Sequence, residues 1–155
     1  MTFRRNFLAA SVAILAVTAG IQASAQTVLK ATDTHPAGYP TVVAVENMGK
    51  KLEAQTNGRY KMQMFPGAVL GQEKETVEQT QIGALQINRI SLGVIGPVVP
   101  DVDVFNMPFV FRDINHMRKV IDGPIGDELL AKVTASPARL VALGWMDGGA
   151  RSLYT

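Results

Sequence analysis

Apolar positions along the chain follow two different rhythms. Val28–Thr32 is a short β-prone run that opens into Asp33-Thr34-His35-Pro36-Ala37-Gly38, a loop rich in turn formers. From Thr41 to Gln55 the spacing changes. Val42, Val45, Met48 and Leu52 recur at helical intervals with Lys50, Lys51 and Glu53 turned outward, which predicts a helix. Asn57-Gly58 stops it, because Asn and Gly tolerate a left-handed backbone. Arg59–Phe65 alternates, with Tyr60, Met62 and Met64 on one face and Lys61 and Gln63 on the other; it predicts a strand that Pro66-Gly67 ends. A second helix is predicted from Gln72 to Ile82, closed by Gly83, and a third strand over Leu85–Leu92.

Strand, helix, strand, helix, strand with short links predicts an α/β fold, a mostly parallel sheet with flanking helices. After a Gly- and Pro-punctuated stretch to Pro100, Val102–Phe111 is apolar and β-branched but interrupted by Pro108, so it is a poor central strand. Ile114–Ile121 and Gly126–Val133 read as two short helices separated by Asp122-Gly123-Pro124, and Arg139–Met146 as a further strand. The sequence stops just after it, at Arg151-Ser152-Leu153-Tyr154-Thr155, and reads as the N-terminal part of a longer protein, cut where it would enter a second lobe.

The first 25 residues break the pattern. Arg4-Arg5, an apolar stretch from Phe7 to about Val17, and Ala23-Ser24-Ala25 form a secretory leader with an A-x-A cleavage site after Ala25. The apolar stretch falls short of the roughly 20 residues that span a bilayer. Arg4-Arg5-Asn6-Phe7-Leu8 fits either a twin-arginine signal or an ordinary basic n-region; both routes lead out of the cytoplasm, to the periplasm or beyond. With the leader set aside, thirteen basic residues face thirteen acidic ones, so the pI of 9.0 gives no electrostatic case for a nucleic-acid partner. The absence of cysteine excludes disulfides, thiolate metal sites and a thiol nucleophile.

In an open α/β sheet, ligands sit beyond the carboxyl ends of the strands. That rule nominates the loop Asp33–His35, the helix start Gln72–Glu75, the strand end Asn88–Ser91 and the turn Asp147–Arg151. Arg151 follows Gly148-Gly149-Ala150, and its planar guanidinium suits a carboxylate; a solvated surface arginine is the plainer alternative. Arg89 lies in an otherwise apolar strand and either reaches a wet cleft or pairs with an acid such as Glu73 or Glu75. Glu73 either accepts ligand hydroxyls or simply complements a helix N-terminus. His35 either donates to a ligand or satisfies its own loop, and His116 reads as a surface histidine. No dinucleotide fingerprint, P-loop, nucleophile elbow or zincin motif is present, and two histidines without cysteine make a poor metal site. No cofactor is expected.

Several segments resemble one family in order and spacing. Asn57-Gly58-Arg59-Tyr60-Lys61 leads into Phe65-Pro66-Gly67-Ala68-Val69-Leu70-Gly71-Gln72-Glu73-Lys74-Glu75; Phe105-Asn106-Met107-Pro108-Phe109-Val110-Phe111-Arg112, Asp122-Gly123-Pro124-Ile125-Gly126 and Gly149-Ala150-Arg151-Ser152 follow. Together, from Val28 onward, they resemble the N-terminal lobe of the solute-binding proteins of tripartite ATP-independent periplasmic (TRAP) transporters, the dicarboxylate-binding family. The passage His35-Pro36-Ala37-Gly38-Tyr39-Pro40-Thr41-Val42 and Asn88-Arg89 are similar to its hexuronate-binding branch.

The resemblance implies a two-lobed α/β receptor, not an enzyme. Such a receptor closes on an organic acid and delivers it to the small and large integral-membrane permease subunits. It implies domains at 1–25 (leader) and 26–155 (N-terminal lobe), and places Arg151 on the ligand carboxylate. Glu73 and the strand end with Asn88, Arg89 and Ser91 then line the ligand, with His35 beside them. Ser91 stands where sialic-acid-binding relatives carry an acid nearby, which argues against that substrate. The family's main carboxylate-binding arginine belongs to the second lobe, so the lobe by itself is expected to bind acids feebly. A small extracytoplasmic enzyme and a sensory or docking module are the alternative functions.

Overall fold

The computed structural model describes residues 25–149. Arg151 lies outside the described residues, and so does the leader, read at 1–25, apart from its last residue, Ala25. In the first half, β1 (Thr27–Thr32) runs parallel to β2 (Tyr60–Phe65), Thr27 opposite Tyr60 and Thr32 opposite Phe65. β3 (Ile87–Asn88) joins the other side of β1, again in parallel, giving the order β2-β1-β3. This parallel arrangement with helices in the links is the predicted α/β architecture. With the first strand in the middle, its carboxyl end is flanked by the ends of both neighbours.

α1 (Pro40–Gln55) opens with proline at its first position, where the missing N–H costs nothing, and buries Thr41, Val42, Val45 and Gly49. At Gly49 the helix meets the sheet. A Cβ there would lie 2.7 Å from the Cβ of Met62, so only glycine allows the approach. Asn57 and Gly58, both at positive φ, end the helix, and the Gly58 N–H donates to the Glu53 carbonyl at 2.9 Å. In α2 (Glu73–Gln81) the Glu75 carboxylate accepts from the Gln72 N–H at 2.8 Å, half of a capping box.

The third strand is much shorter than the predicted Leu85–Leu92. Its ladder is flanked by the Gln86 N–H donating to Lys30 and the Arg89 N–H donating to Thr32, and there β1 itself ends. Ser91 then leads into a one-turn helix, α3 (Leu92–Ile95). The apolar run marked burial, while the partner strand set the length.

The second half departs further. Pro100–Asn106 forms a 3-10 helix in place of a weak strand, begun by Pro100 and by Asp101 and Asp103 in its first turn. α4 (Ile114–Ile121) and α5 (Pro124–Ala135) fill the two predicted helical stretches; Asp113 caps α4 by accepting from the His116 N–H at 2.7 Å. Ile95, Val99, Val102 and Val133 form an apolar cluster against which Ile90, Leu92, Leu140, Ala142 and Trp145 pack. The strand predicted over Arg139–Met146 is absent. The alternation is real, since Leu140 and Ala142 face the cluster while Val141 and Leu143 are 71% and 68% exposed. No described strand runs alongside to share a ladder, and without one an extended segment is not a strand. No helix among the described residues is long and apolar enough to cross a membrane.

Candidate functional site

Three of the four nominated segments meet at the carboxyl edge of the sheet. The turn after β2 braces the loop after β1: the Gly67 N–H donates to the His35 carbonyl at 2.7 Å and the Ala68 N–H to the Asp33 carbonyl at 3.3 Å. Gly67 and Ala68 both adopt positive φ, which turns the backbone back toward that loop. The loop is thereby held from the side as well as from its ends.

At the centre lies Asp33, 1% exposed. Its Oδ1 accepts from Arg89 Nε at 2.9 Å, from Arg89 Nη2 at 2.6 Å and from the His35 backbone N–H at 2.9 Å; its Oδ2 accepts from Thr41 Oγ1 at 2.6 Å. Burial alone would push the Asp33 carboxyl up. The donors Arg89, the His35 N–H, Thr41 and the His35 ring reverse that and hold it at about 2. A buried carboxylate surrounded by donors stays ionised.

Arg89 is fully engaged. Besides Asp33, its Nη1 lies 2.9 Å from Glu73 Oε1 and its Nη2 donates to Thr34 Oγ1 at 2.8 Å. Of its two anticipated situations, the ion pair with Glu73 is present, and Asp33 joins it; Glu75 instead caps α2. The same Glu73 oxygen accepts from the Ser91 hydroxyl at 2.9 Å and the Ser91 N–H at 3.2 Å, so it does more than complement a helix end. Glu73, Arg89, Ser91 and His35 thus form one network across three strand ends, with two carboxylates around one guanidinium.

Asn88 sits beside this network. Its Nδ2 donates to Thr80 Oγ1 at 3.2 Å, while its Oδ1 is the buried side-chain atom without a partner among the described residues. Leaving such an acceptor dry costs about 1–3 kcal/mol. The fourth segment approaches through Tyr39, whose ring stacks on His35 with centroids 3.9 Å apart and whose hydroxyl donates to the Gly148 carbonyl at 3.2 Å. His116 lies elsewhere, against Phe111. Among the described residues no group of three or more His, Cys, Asp or Glu could hold a metal.

Asp33 entered the sequence reading only as part of the nominated loop, and Thr41 and Tyr39 only within the passage similar to the hexuronate-binding branch. Asp33 had a legible signal: an acid directly after the first strand, at the edge where ligands bind. Tyr39 had no signal beyond that passage, because its hydroxyl's partner, the Gly148 carbonyl, is over a hundred residues away.

A parallel sheet whose strand ends carry such a hydrogen-bonding edge defines a ligand-binding α/β lobe, and the comparisons with known proteins agree. The family described as bacterial extracellular solute-binding protein, family 7, matches residues 31–155, and the chain belongs to it. A TRAP periplasmic solute-binding protein from Pseudomonas putida F1, solved with bound D-glucuronate, is 66% identical with a TM-score of 0.76, covering 79% of this chain and 40% of that one. Another from Bradyrhizobium sp. BTAi1, in complex with D-galacturonate, is 50% identical with a TM-score of 0.77, covering 82% of this chain and 42% of that one. A solute-binding protein of Chromohalobacter salexigens is 36% identical over 120 residues, covering 77% of this chain and 35% of its own length. The family and these structural neighbours are solute-binding receptors, not enzymes. The chain spans well under half the length of the relatives it matches.

Proposed function

We propose that this chain forms the N-terminal lobe, residues 26–155, of an exported receptor that captures a uronate-like sugar acid in the periplasm. The receptor hands the acid to the small and large membrane subunits of a TRAP permease, and the leader is removed after Ala25. The observation that carries the reading is the likeness to the Pseudomonas putida protein with bound D-glucuronate, at 66% identity over 79% of this chain. His35, Glu73, Asn88, Arg89 and Ser91 form the hydroxyl-reading face. One guanidinium is shared there between the Asp33 and Glu73 carboxylates, so the face offers acceptors to hydroxyls and repels a second carboxylate. The ligand carboxylate is left to Arg151, beyond the Gly148–Gly149 turn that Tyr39 ties to the loop of His35. Closure by a second lobe buries the acid and excludes water.

A chimera tests this. Residues 26–155 replace the matching segment of the Pseudomonas putida receptor, and isothermal titration follows D-glucuronate, D-galacturonate and neutral D-glucose. Uronate binding with no response to glucose is the expected result. A folded chimera that ignores both uronates overturns the reading, and Arg151→Ala in a binding chimera removes most of the affinity if that arginine holds the carboxylate.

A further inference from the structure

We propose that Asp33 is a positioning residue that holds the His35 proton on Nδ1, so that Nε2 faces the ligand as a bare hydrogen-bond acceptor. This rests on the reading of His35 as a ligand-facing group and adds to it the chemistry that the ring selects: a hydroxyl donor.

The geometry carries it. His35 Nδ1 lies 2.8 Å from Asp33 Oδ1 and 2.8 Å from Arg89 Nη2, so it either donates to the carboxylate or accepts from the guanidinium. Arg89 Nη2 has two hydrogens. Asp33 Oδ1 takes one at 2.6 Å and Thr34 Oγ1 takes the other at 2.8 Å, leaving none for the imidazole. An ionised carboxylate only accepts, and Asp33 is held ionised by its buried donors. A bare Nδ1 at 2.8 Å would set lone pair against lone pair, whereas a protonated Nδ1 makes a charge-assisted bond. In the neutral ring the proton on one nitrogen leaves the other bare.

Two features keep the ring in this pose. The His35 backbone N–H is bound to the same Asp33 oxygen at 2.9 Å, and Tyr39 stacks on the ring at an interplanar angle of 4°. The side chain keeps 31% exposure, and Nε2, on the opposite edge from Asp33, has no partner among the described residues. A nitrogen that only accepts favours a sugar hydroxyl over a ligand carboxylate, which has no proton to offer near neutral pH. Asp33 therefore sets specificity without touching ligand.

Long-range proton–nitrogen correlation spectra of the chain, taken where both histidines are neutral, read the tautomer directly, because protonated and bare imidazole nitrogens resonate far apart. His116→Gln assigns the His35 signals by removing the other set. The expected wild-type pattern is Nδ1 protonated and Nε2 bare. Asp33→Ala moves the proton to Nε2, and Thr41→Val, which reaches Asp33 only through Oδ2, leaves it on Nδ1. A wild-type ring protonated on Nε2 overturns the proposal, and this measurement stands even if Asp33→Ala fails to fold. An unchanged tautomer in a folded Asp33→Ala overturns the role of Asp33, and a shift in Thr41→Val overturns it too, by reducing the effect to general loosening. The spectra need no ligand, so a failure here is distinct from a failure of the chimera to bind uronate.

Discussion

The two halves of the chain solve opposite problems. Around the sheet, charged and polar side chains are drawn inward at the strand ends, and nearly every one has a partner: Arg89 with Asp33 and Glu73, Thr41 with Asp33, Ser91 with Glu73. Beyond Leu92 the order reverses. Ile95, Val99, Val102 and Val133 make a small apolar cluster, and large apolar groups face outward, Phe109 at 99% exposure, Val141 at 71% and Leu143 at 68%. Among the described residues the first half leaves one buried side-chain atom, Asn88 Oδ1, without a hydrogen-bond partner; the second presents apolar surface and an extended segment with no described strand beside it. A polar network can be finished locally, whereas an apolar face is finished only by something packed on it.

Removing the centre of the network gives the largest effect. Asp33→Ala leaves Arg89 with one carboxylate instead of two and deletes the acceptor of Thr41 and of the His35 backbone. Breaking a buried ion pair in this way costs about 3–5 kcal/mol. Urea unfolding of the chain should show that loss, while Asp101→Ala, whose carboxylate pairs with Lys132 in solvent, should cost under about 1 kcal/mol. Equal costs at the two sites would erase the contrast between a buried network and an exposed pair.

Acid is a gentler probe of the same group. The fold holds Asp33 at about 2 against an ordinary 3.8, so the native state binds its proton less readily than the unfolded chain does. The resulting stability is fully present above about pH 4 and is lost as pH falls toward about 2, amounting to about 2 kcal/mol. Unfolding free energies from urea titrations across that window should fall accordingly in wild type and follow a flatter course in Asp33→Ala. Parallel pH profiles would show that other carboxylates carry the acid sensitivity.

The same contrast explains what could be read from sequence. Helical spacing at Val42, Val45 and Met48 and alternation over Tyr60–Met64 report how a segment meets its own core, and those elements formed close to their predicted bounds. The strand ends were legible as a site because chain order in an α/β sheet places them together. What sequence did not reveal depends on neighbours. Leu85–Leu92 shrank to two residues because β1 ended, and Arg139–Met146 kept its alternation without a ladder. Asp33 was legible as an acid at that edge, but the number of donors that converge on it from Arg89, Thr41 and the His35 backbone is recorded by no local pattern.

The smallest expected effect is the sharpest test of the second half. Val141 and Leu143 are about 70% exposed, so replacing both with serine removes little buried area, and stability should change by less than about 0.5 kcal/mol per site. Leu140 and Ala142 alternate with them against the apolar cluster and supply the internal control: Leu140→Ser places a hydroxyl where an apolar contact was and should cost several times more. Chemical unfolding at two protein concentrations reads both. If Val141→Ser and Leu143→Ser cost as much as Leu140→Ser, or if their cost grows with concentration, the outward face is covered in solution. The second half would then be as complete as the first, and the comparison between them would fail.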